Sequence, residues 1–183
     1  MTWHPRPICK PHCIMLCLLL ATPLFAHNGA VALAYPVEKL TIDADLSDWP
    51  EHIPEYPVRL PEYGAAPLST ADLQAWVRLA YSVSEQVLYV AMEVVDDVAV
   101  VAGSSSAAWD TEDGAEIYLD LTHGESSAVR QYTIRGAGTA AQRAADDTDE
   151  VLVRWRRQSG RQIYEWRIDI SGFALHDMAA GNT

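Results

Sequence analysis

The sequence predicts an all-β protein, an antiparallel β-sandwich with jelly-roll or immunoglobulin-like layers, and three observations carry that prediction. Six or seven short segments show strand patterning, turns rich in Gly, Pro, Asp and Ser separate them, and no segment has the period of a long amphipathic helix. At 183 residues the chain is long enough for one domain with a sizeable core and too short for two comfortable ones. It shows no internal repeat and no linker.

The elements follow in order. Residues 1–34 have the pattern of a secretory signal peptide: Arg6 and Lys10, an apolar run over 14–25, and Ala32-Leu33-Ala34 just before Tyr35. The run is too short for a comfortable membrane span, and His27-Asn28-Gly29 breaks it, which argues against an uncleaved anchor. The expected mature domain is therefore 35–183, secreted or periplasmic. Residues 35–42 form a short extended run leading into the turn-forming Asp43, Asp45, Ser47 and Asp48, with Trp49 and Pro50 behind them. Residues 51–70 hold Pro54, Pro57, Pro61 and Pro67 and read as one long irregular connection.

Strand signals then come in series. Residues 73–81 alternate, with Trp76 on the side of Gln74 and Arg78. Residues 87–95 are apolar on both faces, the mark of a central strand covered on both sides. Residues 109–120, W-D-T-E-D-G-A-E-I-Y-L-D, bring an aromatic and the carboxylates of Asp110, Glu112 and Asp113 to the start of a strand with Ile117, Leu119 and Leu121 on one face. Residues 129–135, 150–158 and 162–170 complete the set, the last two joined by Ser159-Gly160 as a hairpin. In the last strand Tyr164, Trp166, Ile168 and Ile170 share one face and Glu165, Arg167 and Asp169 the other. No strand follows Ile170, so the sandwich is expected to be C-terminally truncated, because an unpaired terminal strand invites aggregation.

Charge and cysteine narrow the function. The formal charge is −12, and without the leader 11 basic residues face 25 acidic ones. A domain so acidic is no general partner for nucleic acid or anionic membrane. Cys9, Cys13 and Cys17 all lie in the leader, so the exported part has no disulfide and no cysteine metal site. Nucleophile-elbow, phosphate-loop and paired-histidine motifs are absent, and His52, His123 and His176 are scattered.

Four pieces line up with a known family. The opening I-D-A-D-L-S-D-W-P resembles the N-terminal signature of the family 9 carbohydrate-binding module and its DOMON-like relatives. The segment L-Y-V-A-M-E-V-V-D-D is similar to the family's central strand, residues 109–120 to its tryptophan-acid-strand motif, and Y-E-W-R-I-D-I to its late strand. The resemblance implies a β-sandwich, non-catalytic sugar binding and calcium ions that hold loops in place, and the expected truncation adds a covalently linked downstream domain, such as a glycoside hydrolase, as a partner. Sugar recognition needs an aromatic face with polar partners beside it. Trp109 as stacking residue with Asp110 and Asp113 offers that, and Trp76 is a second candidate platform. Asp43, Asp45, Asp96 and Asp97 are the candidate calcium ligands, though each alone reads as a solvated turn residue. Trp49 and Trp166 read as core. Two alternatives use the same fold: the extracytoplasmic sensor of a membrane signalling protein, and a haem domain with Met92 as its central candidate ligand, a residue that also reads as core filler.

Overall fold

The computed structural model describes residues 31–59, 67–70, 72–98, 100, 112–120, 129–135 and 150–172, and of Arg135 only its backbone. The chain divides into a unit of residues 1–31 and a unit of residues 32–183. All architecture below belongs to the second.

Among the described residues of that unit are eight strands and one 3-10 turn, Leu46–Asp48: β1 Tyr35–Pro36, β2 Tyr56–Val58, β3 Leu73–Ser82, β4 Val87–Asp96, β5 Gly114–Leu119, β6 Arg130–Arg135, β7 Val151–Gln158 and β8 Arg161–Asp169. A six-stranded sheet runs β1-β3-β4-β8-β7 with β2 also on β3, and β5 and β6 form a two-stranded sheet. The sandwich and the central position of β4 are as expected. Three details differ. The pairing of β1 with β3 is parallel, because the chain enters beside β3 without a hairpin. The proline-rich connection contains β2, where Pro57 stands opposite Trp76 at the margin of the sheet, a place that tolerates a residue with no N–H. Finally β8 is paired on both sides, with β4 and with β7.

The alternation of β4 generates two cores. On the inner face Val90, Tyr164, Trp166 and Ile168 are buried against Ala115, Tyr132 and Ile134 of the small sheet, with Val151 and Val153 from β7. Ala115, Ile117 and Leu119 all join this core while Tyr118 points to solvent, so the small sheet follows the predicted alternation. On the outer face Val87, Tyr89 and Ala91 pack under Leu40, Ile42, Trp49 and Ile53 from the N-terminal segment. Both expected core tryptophans, Trp49 and Trp166, are buried. Met92 packs against the inner core, as a filler would.

Glu165 lies on the predicted polar face of β8 yet has no exposed surface. Its Oε2 accepts from the backbone N–H groups of Asp43 and Ala44, both at 2.9 Å, and its Oε1 from Trp49 Nε1 at 2.8 Å. Ala44 sits at φ 60, a left-handed conformation that costs an L-residue about 1 kcal/mol. That turn aims two successive N–H groups at one carboxylate oxygen.

Candidate functional site

The β7–β8 hairpin carries a cluster of polar and aromatic side chains on its inner face. Positive φ at both Ser159 and Gly160 gives the tight two-residue turn that a hairpin of this twist favours. It also fixes which side chains of the two strands share a face. On the inner face this aligns Trp155 with Tyr164 across the strands, rings 6.4 Å apart, and brings Arg157 opposite Gln162.

Asp113 closes this group. Its Oδ2 accepts from Gln162 Nε2 at 3.3 Å and from Val100 N at 3.1 Å, and lies 3.5 Å from Arg157 Nη1. Gln162 in turn accepts through Oε1 from the Tyr164 hydroxyl at 2.6 Å and from Trp155 Nε1 at 3.3 Å. Asp113 N donates to Val100 O at 2.8 Å, tying the acidic loop to the segment that leaves β4. Burial pushes the Tyr164 hydroxyl up to about 12, against the opposing pull of its hydrogen bonding near Trp155, so it remains a donor throughout the neutral range. The result is a carboxylate, an amide, a guanidinium and two aromatic rings at one end of the sandwich. Gln162 and Tyr164 are buried, whereas Trp155, Arg157 and Asp113 are partly open to solvent. Such a set can bond hydroxyl groups while presenting an aromatic surface.

Of the residues expected from sequence to hold a ligand, Asp113 is therefore in a polar cluster. Trp109 and Asp110 lie outside the described residues. Trp76 does not join Asp113: it alternates with the core residues Val77 and Leu79 and so occupies the outer face, in register with Pro57 and Glu93. Strand parity puts the two on opposite sides of the large sheet. Sequence reasoning passed over Gln162, Tyr164, Arg157 and Trp155 as site residues. The available signal was the hairpin itself, because the Ser159-Gly160 turn fixes 155, 157, 162 and 164 on one face.

The expected calcium ligands fall in two places. Asp43 Oδ1 accepts from Asp45 N at 2.8 Å, and Asp45 Oδ1 from Ser47 N at 3.1 Å, both local turn bonds. The Ser47 bonds hold the Asp45 carboxyl below the usual range, with a smaller contribution from Arg156. Asp96 Oδ1 accepts from Val98 N at 2.9 Å beside the hairpin turn, and Asp97 is exposed. Among the described residues no three His, Cys, Asp or Glu side chains converge. Asp43 and Asp45 share one turn, and Asp96 and Asp97 lie in another. Among the described residues, also, no helix is long and apolar enough to cross a membrane.

Comparisons with known proteins follow from the sandwich. A family model described as "Carbohydrate family 9 binding domain-like" matches residues 48–182. Two solved structures of a carbohydrate binding module family 9 from Caldicellulosiruptor kristjanssonii are similar to this chain. The one in complex with cellotriose has a TM-score of 0.59 at 19% identity, covering 77% of this chain and 68% of that one. The one in complex with glucose has a TM-score of 0.60 at 20% identity, covering 77% and 69%. At such identities the likeness shows the shared fold. No curated protein matches the chain.

Proposed function

The chain belongs to the carbohydrate family 9 binding domain-like family, and from that premise we propose that it is an exported, non-catalytic module that binds a sugar or the end of a polysaccharide. The observation that carries the proposal is the cluster at one end of the sandwich, where Asp113, Gln162 and Arg157 stand beside Trp155 and Tyr164. Solved modules of this fold hold cellotriose and glucose. A neutral sugar ring has an apolar C–H face and a polar rim, and the cluster offers a counterpart to each. Trp109 is the proposed stacking residue, with Asp110 and Asp113 as polar partners, and Trp155 enters as a second aromatic.

Titration calorimetry with cellotriose and glucose tests this. Trp109→Ala is expected to abolish binding and leave the fold intact, and Asp113→Ala to weaken binding at least about tenfold, the size of one good polar contact. Retention of full affinity in both variants would overturn the assignment, as would loss of folding in Trp109→Ala, which would make that side chain part of the core. Export is checked by sequencing the mature N-terminus, expected at Tyr35. Calcium support of the loops is part of the proposal: chelation with EGTA is expected to lower the thermal midpoint, and an unchanged midpoint removes calcium from it.

A further inference from the structure

The outer face of the β7–β8 hairpin carries a second polar site, on the side of the sheet away from Asp113. Arg156, Gln158, Ser159, Arg161 and Ile163 line an open cleft of about 320 Å³ there. Arg156 is in register with Ile163 and Gln158 with Arg161. The two arginines are therefore diagonal neighbours on one face, about 7–8 Å apart at the backbone.

Each guanidinium is held by a different carboxylate. Arg156 Nη2 lies 3.5 Å from Asp45 Oδ2, and Arg161 Nη1 lies 2.8 Å from Glu93 Oε1. The side chains of Arg156 and Arg161 are 43% and 54% exposed. One carboxylate engages only part of a five-donor fork, so each arginine keeps donors for a ligand.

The hairpin also runs against the charge of the molecule as a whole. Residues 151–169 hold five arginines and two carboxylates in a chain whose formal charge is −12. The acidity of the whole disfavours a densely charged polyanion, while the local arginines favour an isolated carboxylate on an otherwise neutral frame. Ile163 gives the cleft an apolar floor, and Gln158 and Ser159 offer hydrogen-bonding groups beside it. A ring with a C–H face, hydroxyls and one carboxylate matches all of these.

We propose that this cleft is a second carbohydrate subsite that takes a uronic acid residue, its carboxylate held between Arg156 and Arg161. The subsite shares no residue with the Asp113 cluster, so it stands or falls separately from the neutral-sugar reading.

Titration of the protein with tri-galacturonate and with its neutral methyl ester tests the proposal. Tri-galacturonate is expected to bind, to weaken as salt rises, and to bind about tenfold more tightly than the ester. The double variant Arg156→Ala/Arg161→Ala is expected to lose that advantage while its cellotriose affinity is unchanged. Arg156→Lys/Arg161→Lys keeps the charge without the planar fork, and is expected to fall between the two. Circular dichroism checks the fold, and should the double variant fail to fold, Arg161→Ala alone carries the comparison. Absence of tri-galacturonate binding overturns the proposal. So do equal affinity for the ester, undiminished affinity in the alanine variants, and inorganic sulfate binding as tightly as tri-galacturonate.

Discussion

Glu165 joins residues 116 to 122 positions apart in the chain, and its three hydrogen bonds show why the opening signature has the form it does. Asp43 and Ala44 present their N–H groups and Trp49 its indole N–H to a carboxylate that water does not reach. Hydrogen bonds to a charged group contribute about 1.5–3 kcal/mol each, and stranding buried donors costs a similar amount. Glu165→Ala is therefore expected to lose more than about 3 kcal/mol or to prevent folding, measured by urea unfolding. Glu165→Gln keeps the shape, but its amide NH₂ must face one of the donors whichever way it turns, so a loss of about 2 kcal/mol is expected. Burial raises the Glu165 carboxyl above its usual value, with the Trp49, Ala44 and Asp43 bonds opposing. A carboxyl raised on folding contributes stability that is fully present below its unfolded value of 4.5 and lost as pH rises through its folded one. The advantage of wild type over Glu165→Gln should accordingly shrink as pH rises from 4.5, and a widening gap would show that the three donors outweigh burial. None of this was legible from alternation, which places Glu165 on a polar face and is silent on what covers that face.

The β7–β8 hairpin was the most legible element, because Ser159-Gly160 between two alternating runs fixes both turn and register. The structure adds that Ser159 holds φ 54, a conformation that suits Asn or Gly better than Ser. Ser159→Asn is expected to stabilise the protein by about 0.5 kcal/mol, read from the urea midpoint at constant m-value. Gly160 holds φ 75, where an added Cβ would meet Asp96 O at 3.6 Å, an ordinary contact. Gly160→Ala should therefore lose only the backbone preference, about 1 kcal/mol, and a much larger loss would mean that the turn shifts. β2 was not legible for the opposite reason. Four prolines in residues 51–70 speak against regular structure, and only the neighbouring strand β3 shows that Tyr56–Val58 can pair along it. The candidate site was legible in part: Asp113 was named for its carboxylate, while Gln162 and Tyr164 acquire their roles from a partner 49 residues away in sequence and from each other.

At the scale of the whole molecule, one large sheet separates two cores, and β3 and β4 serve both. The sequence announced this through the two-sided apolar run of β4, but it did not announce that the N-terminal segment would be the outer cover. Tyrosines sit in both layers: Tyr164 on the inner face, and on the outer face Tyr89, which donates to Glu85. Burial raises both hydroxyls, Tyr164 from 10.0 to about 12 and Tyr89 in the same direction with Glu85 adding to it. A phenol raised on folding gives stability that is intact below its unfolded value near 10 and lost as pH climbs through the folded one. The molecule should therefore weaken between pH 10 and 12 from both sides of the sheet, with Tyr164 contributing at most about 2 kcal/mol after allowance for solvent. Tyr164→Phe should flatten that alkaline slope while losing about 1 kcal/mol at neutral pH, where the bond to Gln162 disappears. Urea unfolding at pH 8, 10 and 11 separates the two effects. A slope unchanged in Tyr164→Phe would assign the alkaline weakening to the outer face and would mean that the hydroxyl of Tyr164 is reached by water from the end where Asp113 and Arg157 stand, the end at which a sugar is proposed to dock.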